Sequence, residues 1–157
     1  GYFYESYNHG RFSAAGIPDV FVQDNESKSA KGVLRGLHFQ IPPYAQGKLV
    51  RVIKGAVLDV AVDLRKDSRD YGKWVSVILS EENKLMCWIP PRFAHGFLCL
   101  EDDTIFSYKC TQVYHKDSER SILWNDPDLG IDWQVSSPLL SAKDMEAPFF
   151  KNFITPF

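Results

Sequence analysis

The stretch LVRVIKGAVLDVAVDL, residues 49–64, carries the strongest structural signal in the chain. Val50 and Val52, then Val57, Val60 and Val62, supply branched side chains that favour extended backbone. Lys54-Gly55 between them reads as a turn, so the stretch predicts two strands. Further short strands follow outward from it: KWVSVIL at 73–79, LMCWI at 85–89, FLCL at 97–100 and TIFSYKC at 104–110. Turn residues separate these runs at the spacing of a β-sandwich or barrel. Helical periodicity is scarce. The chain offers only short helices, at Glu81–Lys84 and at 141–147, where Ser141 can cap the first turn. Asp59 and Asp63 lie in phase on the Val-rich strand. Carboxylates there are out of place unless a polar pocket lies beside them.

The first nine residues, GYFYESYNH, alternate aromatic and polar. Tyr2, Tyr4 and Ser6 fall on one side of an extended segment, and Phe3, Glu5 and Tyr7 on the other. Such an aromatic strand at a chain end needs a cover, from its own chain or from a second subunit.

A length of 157 residues fits one domain, spanning 1–157, and 45% apolar with 24% charged residues is ordinary globular composition. A disordered or fibrous chain is excluded. The formal net charge of −2 leaves no global basic surface for nucleic acid. The longest apolar runs are about five residues, against roughly 20 for a membrane helix. No secretory leader is visible, and a start at Gly1 rather than Met is consistent with residues preceding it. Cys87, Cys99 and Cys110 are odd in number and irregularly spaced, which is neither a disulfide framework nor a zinc pattern. They point to a reducing compartment, the cytoplasm.

Two histidines sit in glycine-punctuated apolar segments: His38 in Arg35-Gly36-Leu37-His38-Phe39-Gln40, and His95 in Ala94-His95-Gly96-Phe97. A metal site in a small β-barrel commonly uses two His one residue apart. Here Gln40 occupies the second position, and a catalytic metal normally needs three protein ligands. No metal is therefore expected. Proton transfer needs a base on one face of a substrate and an acid on the other. His38 suits the base and Tyr108 the acid, with Lys48 or Arg35 as the cation beside a developing enolate. Asp59, Asp63 and Asp144 are all available to orient the histidine. Arg11, Arg35, Lys48, Arg51 and Lys143 could ring an anion such as a phosphate, and 14% aromatic residues would suit stacking on a base or sugar as well as a compact core.

Taken together, the segments resemble the dTDP-4-dehydrorhamnose 3,5-epimerase family. The motifs run in order through nearly the whole chain. They are Gly1–Asn8, Phe21–Ser27 (FVQDNES), Gly32–Gln40 (GVLRGLHFQ), Gln46–Val50, Asp59–Arg65, Ala94–Phe97, Tyr108–Cys110, Trp124–Pro127 and Leu140–Asp144. The resemblance implies an all-β, cupin-like jelly roll of two antiparallel sheets. It implies a homodimer in which residues 1–9 form a strand exchanged with the partner. It implies no cofactor and no metal, and a dTDP-linked 4-keto-6-deoxyhexose substrate whose C3 and C5 hydrogens the ketone acidifies. By motif, His38 resembles the base oriented by Asp144, Tyr108 the acid, and Lys48 the residue that polarises the keto oxygen. Glu5, Gln23, Asn25, Arg35, His95, Glu119 and Lys143 match substrate-contacting positions, and Asp59 resembles a position near the base. Two residues depart from the pattern: Arg92, where Gly is usual, and His115, where Pro is usual. The family also carries an Arg just before the position of Gly1. A relative that inverts C3 alone, or a silent sugar-nucleotide-binding barrel, would share the same frame. Retention of His38, Lys48, Tyr108 and Asp144 together argues against the silent barrel.

Overall fold

Nine strands follow one another between Gln23 and Ser121 in the computed structural model, which describes all 157 residues. They are β1 (Gln23–Ser29), β2 (Leu34–Gln40), β3 (Lys48–Lys54), β4 (Ala56–Asp63), β5 (Trp74–Ser80), β6 (Met86–Ile89), β7 (Phe93–Cys99), β8 (Thr104–Cys110) and β9 (Glu119–Ser121). They form a four-stranded sheet in the order β1-β8-β3-β6 and a five-stranded sheet in the order β5-β4-β7-β2-β9. Every pairing is antiparallel. This is the expected all-β jelly roll. No helix is long and apolar enough to cross a membrane.

The two faces of the five-stranded sheet are covered differently. Between the sheets lie Val50, Val52, Val57, Ala61, Leu79, Phe97 and Phe106. On the other face, Leu58, Val60, Val62, Leu34, Leu37 and Phe39 pack with Ile122, Leu129 and Trp133 from the chain beyond β9. All eight residues of β4 are therefore buried, and its sequence reads as a nearly continuous apolar run rather than an alternation. Each such valine contributes about 1.5–3 kcal/mol by burial. Asp63 at the end of β4 is buried for a structural reason. It accepts hydrogen bonds from Arg65 Nε at 2.9 Å and Ser68 Oγ at 2.7 Å and so closes the following loop.

One local expectation needs correction. Glu81–Lys84 is a turn, not a helix: the Asn83 side chain accepts from the backbone of Ser80 and Leu85, and Lys84 is left-handed with φ 55°. Residues 1–9 form no strand in the single chain. Residues 1–8 have no ladder partner, and His9 opens a helix, α1 (His9–Ala14), capped by the Asn8 side chain accepting from Arg11 N at 3.1 Å. The preceding arm lies on the outer face of the four-stranded sheet, where Tyr4 Oη accepts from Arg51 at 2.6 Å and Lys84 sits over the Tyr2 ring. The strands β1, β2 and β9 have no counterpart in the local pattern of branched residues. β1 (QDNESKS) contains no apolar residue to reveal its period. The helix at 141–147 does form, as α2 (Ala142–Met145), with Ser141 Oγ accepting from Asp144 N at 3.1 Å. The turn holding Arg92 also forms, with that residue at φ 79°.

Candidate active site

Strand register brings the chemistry-bearing residues to the space between the sheets. On the four-stranded sheet, Asn25 lies opposite Tyr108, which lies opposite Val50, and Gln23 lies opposite Cys110, which lies opposite Lys48. On the five-stranded sheet, Asp59, Phe97 and Arg35 form one row, and Ala61, His95, His38 and Ser121 the next. Arg35 and His38 are three residues apart, so a regular strand would put them on opposite faces. An irregularity in β2 between them restores both to the inner face. Gly36 makes this possible: at φ 136°, a Cβ there would meet the Gly96 Cα at 2.5 Å. Only glycine suits such a conformation and such close approach.

The resulting cavity has two lobes that share His38, Lys48 and Tyr108. One, of about 180 Å³, adds Ser27, Arg35, His95 and Phe97. The other, of about 90 Å³, adds Gln23, Asn25, Gln46, Tyr114 and Glu119. Imidazole and carboxylate face ammonium and phenol across this space.

His38 Nε2 lies 2.5 Å from Asp144 Oδ1, which leaves Nδ1 as the nitrogen without a partner in the chain. Asp144 is buried, and its second oxygen accepts from Ser141 Oγ at 2.9 Å. Burial pushes the Asp144 carboxyl up, but its hydrogen bond and attraction to His38, with help from Ser141 and Lys143, hold it below the usual value. The Lys48 ammonium forms no hydrogen bond or ion pair within the chain. Desolvation pulls its pKa below the ordinary lysine value, against the opposing pull of Cys110, Asp59 and Glu119. Its ammonium lies 5.9 Å from the Tyr108 ring centroid. Burial raises the Tyr108 pKa, so the phenol keeps its proton at neutral pH. His95 is buried and hydrogen-bonded to Asp59 at 2.7 Å. Desolvation lowers its pKa although Asp59 opposes the shift.

Of the other expected residues, Gln23, Asn25, Arg35, His95 and Glu119 line the two lobes, whereas Asp59, Lys143 and Glu5 do not. The Gln23 amide donates to Asn25 Oδ1 at 3.1 Å and accepts from Tyr114 N at 2.8 Å. Lys143 pairs with Glu119 at 2.6 Å, and Tyr114 donates to the same carboxylate. Arg35 donates to Ser29 Oγ at 3.2 Å. Glu5 stands apart: it pairs with Arg11 at 3.4 Å within the N-terminal arm and lines neither lobe. The suggested ring of five cations is not formed, because Arg11 and Arg51 belong to that arm and to the sheet face beneath it. Of the three candidate carboxylates, Asp144 meets His38, Asp59 meets His95, and Asp63 serves the loop. No three His, Cys, Asp or Glu side chains are grouped to hold a metal ion. Residue types alone missed Ser27, Gln46, Phe97 and Tyr114. The alternation of Gln23, Asn25, Ser27 and Ser29 along β1 was the available signal for Ser27.

Known proteins resemble this chain over nearly its whole length. The family description dTDP-4-dehydrorhamnose 3,5-epimerase matches residues 1–152. The enzyme of that name from Shigella flexneri is 56% identical over 151 residues, covering 96% of this chain and 83% of its own length. The crystal structure of dTDP-6-deoxy-D-glucose-3,5-epimerase from Legionella pneumophila, in complex with dTDP-4-keto-L-rhamnose, is 53% identical with a TM-score of 0.92. It covers 96% of this chain, which covers 81% of it. A 3'-monoepimerase from Streptomyces bikiniensis, in complex with dTDP-quinovose, superposes with a TM-score of 0.86 at 36% identity, over 92% of this chain and 74% of that one. With the family description matching residues 1–152 and a relative 56% identical over 96% of this chain, the chain belongs to the dTDP-4-dehydrorhamnose 3,5-epimerase family.

Proposed function

We propose that the protein is an isomerase that inverts C3 and C5 of a dTDP-linked 4-keto-6-deoxyhexose, taking the 4-dehydro-6-deoxyglucose form to 4-dehydrorhamnose. The observation that carries the reading is the opposition of His38–Asp144 on one side of the cavity to Lys48 and Tyr108 on the other. The 4-keto group makes the hydrogens at C3 and C5 acidic. His38 removes one as a proton, and the electron pair becomes an enolate with its charge on the 4-oxygen. Lys48 donates to that oxygen, and the lack of any partner for its ammonium in the chain supports the role. Tyr108 then delivers its phenolic proton to the opposite face of the carbon, which inverts the centre. The imidazolium and the phenolate return to their starting states through solvent, and the cycle repeats at the second carbon. Asp144 holds the His38 ring and stabilises its charged form. Gln23, Asn25, Arg35, His95, Glu119 and Lys143 bind the nucleotide sugar, and Asp59 orients His95.

The active unit in this reading is a homodimer, with residues 1–9 reaching the partner and Glu5 contacting substrate there. Phe3 at 98% exposure and Tyr2 at 72% support an arm that still has a surface to find. The deciding experiment is incubation with dTDP-4-keto-6-deoxyglucose in deuterated water with excess chelator. Deuterium at both C3 and C5 is expected. Deuterium at C3 alone would make the protein a monoepimerase, its absence would leave a binding module, and loss of exchange on chelation alone would demand a metal.

A further inference from the structure

One buried side-chain oxygen in this chain has no hydrogen-bond partner: the hydroxyl of Ser27. Folded proteins rarely leave such a group unpaired, because it gives up hydration without replacement. Ser27 lies in the regular ladder between β1 and β8. It continues the inward alternation of Gln23 and Asn25 on β1, and it stands opposite Phe106. The next inward residue, Ser29, is satisfied by Arg35 at 3.2 Å. Ser27 shares its lobe of the cavity with His38, Lys48 and Tyr108, the three groups assigned to the reaction. An alanine would pack against Phe106 as well, so packing does not account for the hydroxyl.

We propose that Ser27 is a substrate-binding residue whose hydroxyl pairs with a ring hydroxyl of the sugar and fixes the ring between His38 and Tyr108. The proposal rests on the epimerase reading. A serine hydroxyl both donates and accepts, which matches a sugar hydroxyl, whereas a diphosphate calls only for donors. The lobe that holds all three reacting groups must also hold the sugar.

The test is Ser27→Ala, compared with the unaltered protein by three measurements. The kcat/KM for dTDP-4-keto-6-deoxyglucose is expected to fall about tenfold, as for one lost hydrogen bond. Calorimetric affinity for dTDP alone is expected to stay the same. The Tm without ligand is expected to stay level or rise, because an unpaired buried hydroxyl has been removed. Unchanged kcat/KM would overturn the proposal. So would an equal loss of dTDP affinity, which would assign Ser27 to the nucleotide. A fall in Tm with matching losses in both bindings would make the residue structural and also overturn it. If the unaltered protein itself fails to turn over, the epimerase reading falls and takes this one with it.

Discussion

His38 and Tyr108 come from different sheets, and the separate roles proposed for them give separable outcomes on substitution. Loss of a general base costs about 10² to 10⁴ in rate. His38→Asn should therefore suppress deuterium incorporation at both carbons by that factor, since one imidazole serves both. An unchanged exchange rate would remove His38 from the mechanism. Tyr108→Phe leaves the base in place, so a proton can still be taken and returned to the same face. Solvent exchange should survive in this variant while formation of the inverted sugar falls sharply, as followed by NMR. Equal loss of both would mean that Tyr108 holds the substrate or enolate rather than protonating it. The high pKa that burial gives the phenol supports the acid role.

At the scale of elements, β2 and the loop after β4 carry the most specific local demands. The β2 irregularity sets His38 and Arg35 on one face, and it depends on Gly36 lying against Gly96. Gly36→Ala should lower the thermal midpoint markedly and abolish turnover. A variant with the midpoint and activity of the parent would show that the strand tolerates a Cβ there. The loop after β4 depends on Asp63. Burial pushes its carboxyl up, but hydrogen bonds from Arg65 and Ser68 outweigh this and hold it at about 2 rather than 3.8. A carboxyl depressed on folding stabilises the native state above its unfolded pKa, and the contribution is lost as pH falls toward the folded one. Asp63→Asn should thus cost roughly 2 kcal/mol at pH 7. The gap from the parent should close between pH 4 and 2, as read from urea midpoints. A gap independent of pH would assign the loss to packing instead.

On the scale of the whole molecule, the N-terminal arm is the open element. Tyr4 and Tyr2 rest on Arg51 and Lys84 at the outer face of the four-stranded sheet, Phe3 stands exposed, and Glu5 lines neither lobe of the cavity. If the arm engages a partner, each site contains residues of both chains, and assembly and binding are linked. Deleting residues 1–9 should then shift the protein toward monomer in light scattering and weaken dTDP-sugar binding in parallel. A truncated protein that remains dimeric with full affinity would leave the arm as a cover for its own sheet.

Much of this fold was legible along the chain, because β3, β4 and β8 bury apolar side chains and so display branched residues and turn signals locally. The sequence also singled out His38, Tyr108 and Lys48 by residue type, and the fold brings these three to one cavity. The motif resemblance pairs Asp144 with His38, and the two side chains do meet. What residue types and spacing left open was pairing across distance. Asp59, Asp63 and Asp144 were equivalent candidates until the sheets and the α2 cap set one beside His95, one in a loop and one against His38. β1 was hidden for a related reason. Its inward face is polar because it lines the cavity, so the apolar alternation that marks a strand is missing where the site is built. Local pattern records what a segment buries. Which polar groups meet depends on register between strands far apart in sequence, and only the packed sheets decide that.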